Sequence, residues 1–195
     1  MTQQLQAIDG PARPENATVP NIRAVVHTGA TETAYRRAGS GPPVLLLLGD
    51  GPDSPRAIAL IEALAGSCRV IAPESPEPAY SAHARRRSGG HAVWLRDLMD
   101  GLGLVRPCII ADDRFALSAL AFTLADPHRA GRLLIATGSQ VLDASAGLAL
   151  EEVVGAGATP ILILQLEGDE ELIGGSSAVL QMMTFVHCAL VERGA

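Results

Sequence analysis

The sequence contains no lysine, and all 15 of its basic residues are arginine. The formal net charge is −6, and the arginines are scattered along the chain apart from a run at 85–87. The chain therefore offers no basic face of the kind that binds nucleic acid. We interpret the absence of lysine as the codon bias of a GC-rich bacterial genome, and not as selection for bidentate recognition by arginine.

The chain also lacks an apolar run long enough to span a membrane. Its longest runs, "VLLLLG" and "ILILQL", have the length of strands, although 48% of all residues are hydrophobic. That fraction is too high for a disordered chain. No apolar segment follows a basic start at the N-terminus, so no secretory signal is predicted. We expect a soluble, cytoplasmic protein.

Cysteine is scarce, and the three cysteines lie far apart at Cys68, Cys108 and Cys188. An odd number without paired or metal-binding spacing predicts buried thiols in a reducing compartment. We predict no cofactor and no bound metal ion.

A chain of 195 residues is long enough for one domain with a full core. Residues 1–22 are polar and proline-containing, and are predicted to form a flexible leader before a domain at 23–195. In that domain, wholly apolar strands alternate with helices. This alternation predicts an α/β fold, a mostly parallel sheet with helices on both faces. The strand-to-helix turns then share one edge of the sheet, where ligands bind in such folds.

Local signals predict several individual elements. A helix is predicted after "PPVLLLLGD", with Ser54 as its cap and Pro55 at its first position. Residues 75–91 are predicted to be a loop. The segment "AVWLRDLMDGLGL" predicts an amphipathic helix, and a further helix is predicted from Arg114 after the strand "RPCIIA".

These segments, in this order, resemble the α/β-hydrolase fold family over residues 23–195. "TAYRRAGSGPPVLLLLGDGPDS" resembles its second and third strands, and "RVIAPESP" its fourth. "WLRDLMDGLGLVRPCIIADDRFALSALAFTLADPHRAGRLLIATG" resembles the region around the nucleophile. The resemblance implies a shortened three-layer sandwich without a cap domain. The family's last strand also has no counterpart, since "GDEELIGGSS" leads almost directly into the final helix.

The family's nucleophile motif, G-x-S-x-G, corresponds here to residues 111–115. Asp113 stands where the resemblance implies the nucleophile, and Phe115 stands where the tight turn has glycine. Haloalkane dehalogenases and epoxide hydrolases use an aspartate at this place, so a nucleophilic Asp113 is one interpretation. The other is that Asp112 or Asp113 caps the following helix.

The resemblance places the oxyanion hole after the third strand, where Gly49 and Asp50 replace a His-Gly pair. The backbone N–H of Gly51 could donate to a substrate oxygen there. The carboxylate of Asp50 would oppose the stabilisation of negative charge at the same place. A simple tight turn explains "GDGPDS" equally well.

For the rest of a catalytic triad, Asp169 matches a position of the family's acid. No histidine matches the family's base, because His187 lies within the final helix. His91 could reach the cleft from its predicted loop. A nucleophile without a base in reach cannot complete a hydrolytic cycle efficiently.

The acidic side chains at this edge allow another interpretation. Asp50, Asp112 and Asp113 would converge, and three carboxylates can hold Mg²⁺ or Ca²⁺. Arg114 lies among them, and no ion-binding loop pattern is present. We therefore expect the aspartates and Arg114 to pair with each other.

Without the family's last strand, residues 160–167 become an apolar edge of the sheet, and proteins normally pair or cover such an edge. We expect these residues, with the helix 177–193, to bind a second copy or a protein partner. The sequence thus favours a non-catalytic protein with a binding or assembly role. A hydrolase using Asp113, and a receptor for a small molecule in the former cleft, remain the alternatives.

Overall fold

The computed structural model describes residues 20–28, 31–75, 89–137, 159–165 and 184–185. Within these ranges lie seven strands and three full helices. The strands are β1 (Ile22–Thr28), β2 (Thr31–Ala38), β3 (Pro43–Leu47), β4 (Arg69–Pro73), β5 (Cys108–Asp112), β6 (Arg132–Thr137) and β7 (Ile161–Gln165). The helices are α1 (Pro55–Ala65), α2 (Gly89–Gly101) and α3 (Ala116–Ala125).

All seven strands form one sheet in the order β1-β2-β4-β3-β5-β6-β7. β2 is antiparallel to both of its neighbours, and the pairs from β4 through β3, β5 and β6 to β7 are parallel. The predicted α/β class and mostly parallel sheet are confirmed. Among the described residues, β7 is the outermost strand at its side of the sheet.

The sheet separates two hydrophobic cores. Side chains alternate along β3, so Leu45 and Leu47 pack in the core covered by α2 and α3. Val44 and Leu46 pack in the opposite core, which α1 covers. Because β3 is buried on both faces, its sequence is apolar throughout rather than alternating.

The order of the central strands creates a switch point. The chain passes from β3 through α1 to β4, then through α2 to β5 on the other side of β3. In open α/β sheets, ligands bind at the carboxyl ends of the strands where the order reverses in this way. Here Leu47 pairs with Ala111, which brings the loop after β3 next to the end of β5.

The helix boundaries agree with the sequence in one case and differ in two. Helix α1 begins at Pro55, and the Oγ of Ser54 accepts a hydrogen bond from the N–H of Ala57 at 3.1 Å, as predicted. Helix α2 begins at Gly89, so His91 lies in a helix and its assignment to a loop was wrong. Helix α3 begins at Ala116 and not at Arg114, because residues 113–115 form a turn.

Several predictions lie outside the described residues. These are most of the leader, Asp169, His187, and the segment between β7 and the final helix. Of that helix, Phe185 is described. It packs against the α1 core, and the guanidinium carbon of Arg132 lies 5.1 Å from the centre of its ring. No helix in the described ranges is long and apolar enough to cross a membrane.

Loss of the α1 cap should destabilise the fold. We expect Ser54→Ala to lower the free energy of unfolding by about 1 kcal/mol, because the N–H of Ala57 loses its acceptor. Urea denaturation followed by circular dichroism measures the change. Ser40→Ala, at an exposed loop position, is the control. Equal stabilities of the two variants would show that the cap contributes nothing.

Candidate functional site

Asp112, the last residue of β5, occupies the centre of the switch point. Its side chain is buried, with the residue 7% exposed. Its Oδ2 accepts hydrogen bonds from the N–H of Gly49 at 2.7 Å and from Nη2 of Arg56 at 2.9 Å. Its Oδ1 accepts from the N–H of Arg114 at 3.1 Å. One carboxylate therefore binds three donors from three separate segments.

The loop between β3 and α1 is tied to itself as well as to Asp112. The N–H of Gly51 donates to the carbonyl of Leu48 at 3.2 Å, and the carbonyl of Gly51 accepts from the N–H of Ser54. Gly51 has a φ of +82°, a conformation that favours glycine. The N–H proposed from the sequence as an oxyanion donor is thus engaged within a turn.

Arg56, in the first turn of α1, is the cation that pairs with both Asp50 and Asp112. Its Nη2 donates to Asp112 and, at 3.2 Å, to Oδ1 of Asp50. A cation at this position opposes the positive end of the helix dipole. The two carboxylates compensate for that repulsion, and the side chain of Arg56 remains 31% exposed.

Arg114 contributes in a different way from the one expected. Its Nη1 donates to the carbonyl of Gly49 at 3.0 Å. The arginine side chain lies against Gly49 so closely that a Cβ there would be 2.9 Å from Cβ of Arg114. The sequence predicted Arg114 as the arginine that pairs with the aspartates, and for Asp50 and Asp112 this was wrong, because their ion pairs are to Arg56.

The turn at 113–115 differs from a strained nucleophile turn. Among the described non-glycine residues, only Arg106 has a positive φ, so Asp113 lies outside the left-handed region. Phe115 is 2% exposed and stacks on Trp94, with ring centres 6.3 Å apart. The bulky residue that replaces glycine is thus part of the core.

The helix-capping interpretation of the aspartates needs correction. Phe115 is the residue that caps α3, and no side-chain hydrogen bond accompanies it. Asp112 lies further from the helix and accepts from the N–H of Arg114 within the turn. Asp113 is half-buried in the same turn.

His91 is the imidazole that contacts this region. Its Nδ1 lies 3.1 Å from Oγ of Ser118 in α3, and its ring lies 5.9 Å from that of Phe115. Burial lowers the pKa of His91 from its usual 6.5, and the positive charge of Arg114 lowers it further. The ring is therefore held in its neutral form near neutral pH.

The structure brings together most of the residues singled out from the sequence. Asp50, Asp112, Arg114 and Gly51 lie at one edge of the sheet, and Asp169 lies outside the described residues. Sequence reasoning missed Arg56. The signal for it was a basic residue in the first turn of a helix, where an acidic partner is needed.

The described residues contain no group of three or more His, Cys, Asp or Glu side chains placed to hold a metal ion. Asp50 and Asp112 instead share the guanidinium of Arg56. This arrangement neutralises charge that a divalent cation would otherwise have to balance.

A scan against known protein families gave no match, and neither did a search of curated protein sequences. Solved structures do match. A protein described as a predicted CIB-like hydrolase from Thermoplasma acidophilum is 15% identical, with a TM-score of 0.64, over 87% of this chain and 99% of that one. A 2-hydroxy-6-oxo-6-phenylhexa-2,4-dienoate hydrolase from Rhodococcus sp. strain RHA1 is 25% identical, with a TM-score of 0.52, over 62% of this chain.

An epoxide hydrolase from an endophytic Streptomyces is 21% identical, with a TM-score of 0.50, over 60% of this chain. The chain spans nearly the whole of the Thermoplasma protein. It spans only 47% of the Rhodococcus enzyme and 37% of the Streptomyces enzyme. These likenesses show a shared fold.

Removal of the Asp112 carboxylate should destabilise the protein. We expect Asp112→Ala to lower the free energy of unfolding by about 2 kcal/mol, since two amides and a guanidinium lose their acceptor. Asp112→Asn should lower the free energy of unfolding by less, because the amide oxygen of asparagine can still accept a hydrogen bond. Urea denaturation measures both, with the exposed Asp97→Ala as the control. A loss no larger than that of the control would contradict the proposed importance of these bonds.

The pKa of His91 should rise when the charge of Arg114 is removed. We expect a two-dimensional NMR titration to give a higher His91 pKa in Arg114→Met than in the wild type, with exposed Arg37→Met as the control.

A lowered folded-state pKa of His91 means that the unfolded chain binds the proton more tightly than the folded chain does. The contribution of His91 to stability is therefore complete above pH 6.5 and is lost as the pH falls through the folded-state pKa.

Proposed function

We propose that this chain, which has the α/β-hydrolase fold, is a non-catalytic protein with a binding or assembly role. The observation that carries the proposal is the position of Asp112. In hydrolases of this fold, the oxyanion is bound by the N–H after the nucleophile and by an N–H of the loop after the third strand. Here the N–H groups of Arg114 and Gly49 donate to Asp112.

The electrostatics of the site also favour this proposal. A carboxylate that already accepts both donors places negative charge where hydrolysis must stabilise negative charge. Asp50, on the loop after β3, adds a second carboxylate to the site. Gly51, the other candidate donor, binds Leu48 instead. A substrate oxygen could accept from the N–H groups of Gly49 and Arg114 only by displacing the Asp112 carboxylate from them.

The turn at Asp113 gives independent support. A nucleophile turn of this fold is sharp and strained, with small flanking residues that present the side chain to substrate. Asp113 has no positive φ, and Phe115 is anchored in the core against Trp94. These two features support the proposal that Asp113 is not a nucleophile.

A hydrolase is the second candidate. The similar solved structures are named as hydrolases, and His91 contacts the ring of Phe115, two residues from Asp113. The neutral imidazole could accept a proton. In this alternative Asp113 would be the nucleophile and Asp169 the supporting acid. A receptor for a small molecule at the same cleft is a third candidate.

A substrate screen separates the first two candidates. We expect the wild type to show no turnover above background with panels of esters, epoxides and haloalkanes. Asp113→Ala should behave in the same way, with Asp97→Ala as the matched control. Turnover in the wild type and in Asp97→Ala that disappears in Asp113→Ala would overturn the non-catalytic proposal.

The assembly part of the proposal rests on the edge formed by β7. Ile161 and Ile163 pack against one core, and Leu162 packs against the other, yet all three are only partly buried. An apolar edge strand is normally paired or covered. We propose that residues 160–167, with the helix 177–193, bind a second copy of the chain.

Light scattering at low micromolar concentration tests this interface. We expect a dimer for the wild type, and a folded monomer for Ile161→Lys, because a charge on this partly exposed side chain would be buried in the interface. Circular dichroism checks that the variant is folded, since Ile161 also packs against the core. Val105→Lys is the control, since Val105 is 75% exposed and lies away from β7 in the sequence. A monomeric wild type would contradict the proposed interface.

The cysteines support a cytoplasmic location as part of the same proposal. Cys68 and Cys108 are buried free thiols. Burial raises the pKa of Cys108 to about 12, so this thiol stays protonated and unreactive. Such cysteines suit a reducing compartment.

A further inference from the structure

The three donors around Asp112 come from separate parts of the fold. Gly49 belongs to the loop after β3, Arg56 to the first turn of α1, and Arg114 to the turn after β5. Their hydrogen bonds to Asp112 span 63, 56 and 2 residues of sequence. Each distant donor also has a support other than Asp112: the loop of Gly49 is closed by the hydrogen bond from Gly51 to Leu48, and Arg56 forms an ion pair with Asp50.

The number and direction of these donors suit a carboxylate. One oxygen accepts from an amide and a guanidinium, and the other accepts from an amide. Distances of 2.7 and 2.9 Å at Oδ2 are in the range of charge-assisted hydrogen bonds. A neutral carbonyl offers one oxygen to such a set, whereas a planar carboxylate fills both positions.

We propose that the N–H of Gly49, the N–H of Arg114 and the guanidinium of Arg56 form a carboxylate receptor, and that the Asp112 side chain is its tethered ligand. The inference rests on the proposed function in one respect, that Asp112 closes the cleft in the wild type. It adds the class of ligand that the site accepts, which is a small monocarboxylate. Asp50 shares Arg56, so a second negative charge on the ligand is disfavoured.

Formate is the natural probe of this receptor. Asp112→Ala removes one carbon and two oxygens, and formate supplies the same three heavy atoms without the tether. We expect formate to bind Asp112→Ala with a dissociation constant of about 1 mM or weaker, the limit for so small a ligand. Formate should then raise the Tm of this variant with saturation, because it binds the folded state.

The controls separate the receptor from general salt effects. Sodium chloride at equal ionic strength should give no saturating shift. The wild type and Asp112→Asn should not respond to formate, because each keeps the receptor filled. The double variant Asp112→Ala with Arg56→Met should lose the response, because the cationic donor is gone.

A direct measurement completes the test. In ¹⁵N-labelled Asp112→Ala, formate should shift the amide signals of Gly49 and Arg114 together, with one dissociation constant. If Asp112→Ala does not fold in buffer, its refolding is measured in sodium formate and in sodium chloride of equal ionic strength, and recovery in formate alone is expected. A folded variant whose two amides do not respond to formate, or an equal response in Asp112→Asn, would overturn the proposal.

Failure here is distinguishable from failure of the proposed function. The formate titration involves no turnover, and the substrate screen involves no Asp112 variant. Hydrolysis by the wild type would overturn the non-catalytic proposal. The formate titration would still decide whether the three donors bind a carboxylate. Absence of formate binding would leave Asp112 as a structural tie between loops without a binding site behind it.

Discussion

The site is organised by one buried carboxylate. Asp112 joins the loop after β3, the first turn of α1 and the turn after β5 by hydrogen bonds to Gly49, Arg56 and Arg114. Those three segments would otherwise border an open crevice, because they meet at the switch point of the sheet. The tie therefore does two things: it connects the elements around the central strands, and it occupies the place where this type of sheet usually binds a ligand.

The packing of Phe115 at the end of the turn also fixes the path of the chain at this edge of the sheet. Phe115 is fixed in the core by Trp94 and His91, so the backbone at 113–115 forms an ordinary turn before α3. A glycine at this position would permit a tighter path between strand and helix. The core contact shapes the turn through Phe115, its last residue. The hydrogen bonds of Asp112 shape it through the residue that precedes the turn.

Charge balance explains why the cluster is stable at a half-exposed edge. Arg56 stands at the positive end of α1, which is unfavourable for a cation, and it is held by Asp50 and Asp112. Arg114 donates to a carbonyl, and burial, together with the charge of Arg114, lowers the pKa of His91. The imidazole next to the core is thereby kept neutral, and it bonds Ser118.

Local chemistry was enough to predict much of the fold. The apolar run of β3, the Ser54 cap and Pro55 at the start of α1 are each readable from neighbouring residues, because burial on both faces and helix capping depend on composition within a few positions. The α/β class follows from the alternation of such segments. The position of the site at the strand ends follows from the handedness of the connections.

The tertiary structure decided which side chains meet. Sequence alone singled out Asp113 by its place in a motif, and paired the aspartates with Arg114 because it is adjacent in the chain. The register of β5 against β3 instead turns Asp112 toward Gly49, and the position of α1 brings Arg56 to it across 56 residues. Asp112 is the last residue of β5 and Asp113 lies in the turn, so which of the two faces Gly49 depends on where β5 ends and how it is seated against its neighbours. That seating is fixed by long-range packing, which no local pattern records.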